Sequence, residues 1–197
     1  MIEPTPFVIR RANQHDLPSL ARMASELARQ HERYDNRRFS LRPMEEAFTN
    51  FYRNELDDDN SALFVAESDG ELAGYIFVRI EPDSIVEWFL ATGWVHDLFV
   101  AKPWRKSHVG SELLRIGIEH LRRIGSPGVM LAVAAQNATA RRFFKKNGFR
   151  VTMHEMRLDF DATPSLDADP PMAPVNPSSI EPTAKPAWTG SAPPLSP

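Results

Sequence analysis

Two successive apolar stretches in residues 94–149 are each followed by a polar turn and a helix-like pattern. Trp94–Val100 leads through a short polar link into Val109–Ile124, and Val129–Ala134 leads into Asn137–Lys146. A strand, a crossover helix and a second strand of this length fit a parallel pair with a right-handed connection. A two-residue hairpin cannot join parallel strands, so the unit commits the chain to layers of helix on sheet. Asn147-Gly148 supplies a helix stop after the last of these segments.

The rest of the body alternates the same two signals. Phe7–Arg11 reads as a short strand. His15 and Asp16 offer polar starts for a helix in which Leu17, Leu20, Ala21, Ala24, Leu27 and Ala28 recur at helical spacing. A second helix is expected over residues 43–56, with Met44, Ala47, Phe48 and Phe51 on one face. Residues 62–67 and 72–80 flank Asp69-Gly70, a strong turn pair, and read as a hairpin. The stretch 81–93 reads either as more sheet or as a loop near the substrate. Phe149–Phe160 is expected to close the sheet. The element order is β-α-α-β-β-β-α-β-α-β, with no internal repeat.

Composition changes after Phe160. Residues 161–197 hold ten of the 17 prolines, and no hydrophobic period survives among them. Such a segment cannot repay its ordering entropy, so the expected organisation is a domain over 1–160 and a disordered Pro-rich tail over 161–197. The tail carries Asp161, Asp167, Asp169 and Glu181 against Lys185, a net of −3, which leaves a neutral body in a chain of net charge −3. A neutral body predicts no general nucleic-acid footprint. The absence of cysteine excludes an acyl-cysteine intermediate and thiolate zinc sites, and fits a reducing compartment. No apolar run approaches membrane-spanning length, and the N-terminus lacks a signal pattern. The expectation is a soluble cytoplasmic protein with no membrane partner.

The segments W-V-H-D-L-F-V-A-K-P-W-R-K-S-H-V-G-S-E-L-L (94–114) and V-M-L-A-V-A-A-Q-N-A-T-A-R-R-F-F-K-K-N-G-F (129–149) together resemble the two signature segments of the GCN5-related N-acetyltransferase (GNAT) family. The resemblance implies an α/β fold with a mixed six- to seven-stranded sheet, about four flanking helices and splayed central parallel strands. It also implies acetyl-coenzyme A as co-substrate. The first segment would seat the pyrophosphate at a helix N-terminus, where free N–H groups and the helix dipole favour an anion. Its residues are Arg105, Lys106, Ser107, His108, Val109, Gly110 and Ser111. Arg105 and Gly110 match the ends of the family pattern, but His108 stands where the first glycine is usual. Its ring either adds a donor to phosphate or narrows the site. Backbone N–H groups of Leu98, Phe99 and Val100 would polarise the thioester carbonyl. The second segment contributes Asn137 and Phe144. The family often has a tyrosine at the latter position to protonate the leaving thiolate, and here that hydroxyl is missing. Arg141, Arg142, Lys145 and Lys146 read either as partners for a nucleotide phosphate or as a solvated helix face.

V-H-D-L-F-V followed by G-S-E-L-L looks most like the diamine and polyamine branch, which commonly has Glu-Asp where His96-Asp97 stand. A protonated amine must lose a proton before it attacks. His96 is the candidate acceptor, and Asp97 is the candidate that attracts the cation or orients His96. Strand neighbours point to opposite faces, so the two are not expected to share a job unless a bulge intervenes. Each also reads as a structural, hydrogen-bonded residue. His31, Glu32 and Tyr34 end the first helix, in a region that often lines the acceptor pocket in the family. The favoured function is transfer of an acetyl group to a primary amine of a small molecule, by direct attack in a ternary complex. One alternative is acetylation of a protein N-terminus, whose usual fifth-strand glutamate is replaced by Ala132. Another is a non-catalytic acyl-coenzyme A sensor, for which His108 and Phe144 are the evidence. A homodimer is usual in the family, while the sequence itself leaves the oligomeric state open.

Overall fold

The computed structural model describes residues 6–39, 44–86 and 88–160. The expected disordered tail, 161–197, lies outside the described residues, as does the expected start of the second helix at Pro43. The chain divides into two compact units at Arg150 and Val151.

The first unit has five strands, β1 (Val8–Arg11), β2 (Ser61–Ser68), β3 (Glu71–Glu81), β4 (Thr92–Val100) and β5 (Val129–Met130), and four α-helices, α1 (Leu17–Tyr34), α2 (Glu45–Leu56), α3 (Val109–Arg123) and α4 (Ala138–Lys146). The sheet order is β1-β2-β3-β4-β5, with the first three pairings antiparallel and β4–β5 parallel. This is the expected mixed α/β class, with fewer strands. The difference lies at the end of the body. Only Val129 and Met130 of the expected 129–134 strand pair with β4, opposite Gly93 and Trp94. Residues 151–159, in the second unit, form no strand. Their apolar positions fall on odd numbers at Val151 and Met153 and on even numbers from Met156 to Phe160, so one strand face cannot collect them. All five of these side chains are exposed. With no strand following, the parallel pair lies at an edge of the sheet rather than at its centre.

Local chemistry explains the elements. Asn13 and Asp16 form a reciprocal capping box ahead of α1, and Arg10 clamps Asp16 through two bonds of 2.7 and 2.8 Å. Leu17, Leu20, Ala21 and Ala24 then form the buried stripe of α1. The β2–β3 turn places Asp69 and Gly70 at φ +50° and +79°, as a tight hairpin twisted with its strands requires.

Side chains alternate across the sheet and build two cores. On one face, α3 sets Val109, Leu113, Leu114 and Leu121 against Ala62, Ala66, Ile76, Val78 and Val95. On the other, α1 and α2 set Leu17, Leu20, Ala24 and Tyr52 against Leu63, Val65, Tyr75, Phe77 and Phe99. Gly117 allows α3 to lie this close, since a Cβ there would stand 2.8 Å from Ile76 Cδ1 and 3.0 Å from Val78 Cγ1. Among the described residues no helix is long and apolar enough to cross a membrane.

Candidate active site

β4 carries the candidate residues, and its register with β3 decides where they point. Val95 pairs with Val78 and Asp97 pairs with Phe77, so His96 is an extra residue without a partner. This is a β-bulge, which leaves one residue unpaired, bends its strand and resets the alternation of side chains. Before the bulge, Val95 packs into the α3 core. After it, Phe99 packs into the core under α1 and α2. His96 stacks on Phe77 at 5.2 Å and 27° and on Trp94 at 6.0 Å and 23°. Asp97 accepts a 2.7 Å bond from Tyr52 Oη. His96 and Asp97 therefore share the α1/α2 face, and the expectation that they would point apart is corrected by the bulge.

Asp97 sits at the centre of a polar network. Tyr52 and Tyr75 are fully buried, and their hydroxyls lie 3.1 Å apart. Burial pushes the Asp97 carboxyl above the ordinary carboxylate range, opposed by the Tyr52 hydrogen bond and then by the charges of His96 and His31. Burial also drives both tyrosine hydroxyls far up, so they stay protonated and serve as donors. His31, near the end of α1, donates its Nδ1–H to the Leu27 carbonyl oxygen at 2.9 Å. The sequence reading missed Tyr52, Tyr75 and a further partner, Glu81. Glu81 Oε1 lies 2.8 Å from His96 Nε2 and 3.9 Å from Arg79 Nε. Arg79 in turn pairs with Glu55 at 2.9 Å and Asp58 at 3.5 Å.

The bulge comes two residues past the last parallel pair, Trp94–Met130. Beyond it β4 continues to Val100 with β3 on one side only. Leu98, Phe99 and Val100 pair with Ile76, Tyr75 and Gly74. Among the described residues no strand pairs with the other edge of this segment, where Val100 O accepts from Arg105 Nε, and an extended chain can add there as a strand does.

The turn after β4 leads to the N-terminus of α3. No side chain caps that helix, so the first-turn amides at Val109, Gly110 and Ser111 are not taken by a cap. Arg105 Nε donates to Val100 O at 3.1 Å, and Ser107 Oγ donates to Trp104 O, so both side chains brace the loop. Lys106 and His108 are exposed and adopt φ of +70° and +67°, the region glycine enters without penalty. Val109 is fully buried and can offer only its backbone outward. Gly110 has room for a Cβ, 3.4 Å from Val100 Cγ2 and 3.9 Å from Phe143 Cζ. The loop thus offers amides, helix dipole and cationic side chains to an anion, the donor set a diphosphate needs.

The second predicted segment lies beside this loop through Phe143. Asn137 Oδ1 accepts from Ala140 N at 3.0 Å and caps α4, so its carbonyl is committed to the helix. Phe144 is half-buried and packs edge-on against Phe143 at 5.3 Å and Phe149 at 5.6 Å. Arg141 donates to Ala135 O at 3.0 Å, which ties it to its own turn.

Comparison with known proteins bears on the family and the fold. The model of the acetyltransferase (GNAT) family matches residues 21–149. Over 91 residues the chain is 36% identical to the mycothiol acetyltransferase of Thermomonospora curvata, which covers 46% of this chain and 28% of that one. Over 105 residues it is 30% identical to the N-alpha-acetyltransferase of Sulfurisphaera tokodaii, covering 51% and 63%. The chain spans less than a third of the mycothiol enzyme it matches. Among solved structures, the fold is shared with a predicted acetyltransferase from Clostridium acetobutylicum determined with acetyl-CoA, at a TM-score of 0.61, 15% identity and coverage of 78% and 96%.

Proposed function

The chain belongs to the acetyltransferase (GNAT) family, and from that premise we propose that it transfers the acetyl group of acetyl-coenzyme A to a primary amine of a small molecule. The observation that carries the reading is the bulge in β4. It sets His96 and Asp97 on one face, next to a strand whose other edge is open and which leads directly to the uncapped N-terminus of α3.

The amides at Val109, Gly110 and Ser111, with Lys106 and His108 beside them, would hold the diphosphate. Leu98 and Val100 would hold the arm through their backbone, Phe99 facing β3 instead, with Arg105 and Ser107 keeping the loop in place. Acetyl-coenzyme A supplies an activated acyl thioester. An ammonium acceptor sheds one proton to solvent or Asp97 on entry. As the neutral amine, it forms the new C–N bond with its lone pair while the C–S bond breaks and the electron pair leaves on sulfur. The second proton passes to His96 and then to the thiolate or solvent. Asp97 stands beside His96 to attract the cation. Phe144 has no hydroxyl to give to the sulfur, and a thiolate of pKa ~8.5 leaves without one. The mycothiol relative supports a small acceptor.

Acetylation of a peptide N-terminus is the second reading, favoured by the N-alpha relative. Ala132, exposed past the end of β5, offers no carboxylate to it. One experiment separates the readings. Released coenzyme A is followed with a thiol reagent, for which a chain without cysteine gives no background. A panel of small amines, diamines included, is run beside short peptides with free N-termini. Turnover confined to small amines supports the proposal. Turnover confined to peptides overturns it in favour of the second reading. Binding of acetyl-coenzyme A without any turnover leaves a sensor.

A further inference from the structure

Glu81 and His96 are 15 residues apart in sequence and share the 2.8 Å contact between Oε1 and Nε2. Three features make this more than a surface pair. The imidazole is flanked by the Phe77 and Trp94 rings, both within 27° of parallel, so its plane is held. The carboxylate also faces a fixed charge, because Arg79, anchored on Glu55 and Asp58, sets its Nε 3.9 Å from the same Oε1 without a hydrogen bond to it. His96 Nδ1 has no hydrogen-bond partner among the described residues, while Nε2 is engaged.

Resting on the reading of His96 as the amine's proton acceptor, we propose that Glu81 is its positioning residue, which keeps the hydrogen on Nε2 and presents the Nδ1 lone pair to the acceptor. An ionised carboxylate can only accept a hydrogen bond. A neutral imidazole has one N–H and one lone pair. Glu81 therefore selects the tautomer with hydrogen on Nε2, and the free Nδ1 is the basic atom. When the amine nitrogen gives up its N–H proton to Nδ1, the C–N bond forms and the C–S bond breaks with its electrons on sulfur. The imidazolium then holds two N–H bonds. Its Nε2–H stays with Glu81, which takes no proton, and its charge is faced by the Glu81 carboxylate and the Asp97 side. The bulge enables this. Alternation from Val95 sets His96 on the face of Phe77, Arg79 and Glu81, and the extra residue brings Asp97 to that same face instead of against the α3 core.

The test uses the full chain and has an arm that does not depend on turnover. Nitrogen-15 spectra of the histidine side chains should show His96 with hydrogen on Nε2 in the wild type, and a mixture of tautomers in Glu81→Ala. Hydrogen on Nδ1 in the wild type, or the same tautomer in Glu81→Ala, overturns the proposal. In the kinetic arm, Glu81→Ala should lower kcat by about 10- to 100-fold with KM for the amine little changed. Glu81→Gln should recover most of the loss, because its amide oxygen still accepts from Nε2–H. In a His96→Ala background the further Glu81→Ala change should cost nothing more. An equal loss in both backgrounds shows Glu81 acting elsewhere and overturns the proposal. A wild type that turns over no amine sinks the acetylation reading alone, since the tautomer result still decides the role of Glu81.

Discussion

His96 and Asp97 are adjacent in the chain and nevertheless present their side chains to the same face of the sheet, one to Glu81 and the other to Tyr52. An unbroken strand would separate them by its full thickness. The unpaired position at His96 removes that separation, at the point where β4 loses its parallel neighbour. The juxtaposition of the two ionisable groups and the one-residue shift in the β3–β4 register thus have one cause.

Asp97→Asn tests the cost of that juxtaposition. Burial raises the folded-state pKa of Asp97 above its ordinary value of ~3.9. A raised carboxyl favours folding fully below the ordinary pKa, and that contribution is lost as pH rises through the raised one. Asparagine keeps an oxygen for the Tyr52 hydroxyl and carries no charge. The variant should therefore melt higher than wild type at neutral pH, and the gap should close as pH falls toward 4. Thermal midpoints measured across that range check this. A gap independent of pH shows that the carboxyl is not strained by burial. If Asp97 attracts the acceptor, KM for a cationic amine also rises while binding of acetyl-coenzyme A is unchanged.

Asp16 behaves in the opposite sense. The Arg10 hydrogen bonds hold its carboxyl below the ordinary range despite burial. Its stabilisation is present above the ordinary pKa and lost as pH falls through the lowered one. Asp16→Asn should cost about 1–2 kcal/mol at pH 7, allowing for the partial exposure of Arg10. Denaturant midpoints at pH 7 and pH 3 should differ from wild type by a large and a small amount respectively. Equal differences at both pH values contradict the ion-pair account.

His108→Gly tests the altered position in the anion loop. His108 holds φ +67°, which costs a non-glycine residue roughly 1–2 kcal/mol. Glycine removes that strain and adds unfolded-chain entropy, so the net expectation is a gain of about 0.5–1 kcal/mol. The exposed residue also immediately precedes the uncapped amides of α3. Without its ring a diphosphate approaches the backbone more closely, and coenzyme A should bind several-fold tighter by titration calorimetry. Weaker binding by the variant instead identifies the ring as a phosphate donor.

What was legible in the chain was whatever its local chemistry dictated. Asp69-Gly70 marked its turn because both residues need positive φ. The stripe Leu17, Leu20, Ala21, Ala24 marked its helix because burial follows a period of 3.6. The polar run after Val100 marked a turn into the helix that begins at Val109. Pairings across the sheet were not legible. Glu81 meets His96 through the β3–β4 register, and the connection between those strands, 82–91, is too long for turn chemistry to set that register. Nothing in V-H-D-L announces an unpaired residue, since a bulge is a property of two strands. Tyr52 was hidden for the same reason. The expected α2 face ran through Ala47 and Phe51, which are exposed, whereas Tyr52 is buried, and only the approach of β4 turns its hydroxyl into a partner for Asp97.

Phe144→Tyr restores the hydroxyl that the family often places there, and its outcome depends on where the ring edge points. Phe144 is gripped edge-on by Phe143 and Phe149 and remains half-buried, so a para-hydroxyl would extend from a fixed ring. If that edge faces the sulfur of bound acetyl-coenzyme A, the phenol supplies the proton that the departing thiolate otherwise takes from His96 or solvent. We expect kcat to rise about tenfold with KM for both substrates unchanged, since general acid help acts only as the C–S bond breaks. If the edge faces the protein instead, the hydroxyl is buried without a partner. The variant then loses about 1–3 kcal/mol of stability with no gain in rate. Measuring kcat and the denaturant midpoint on one preparation separates these outcomes. Unchanged kcat with lowered stability removes position 144 from the chemistry and leaves His96 as the route for the proton.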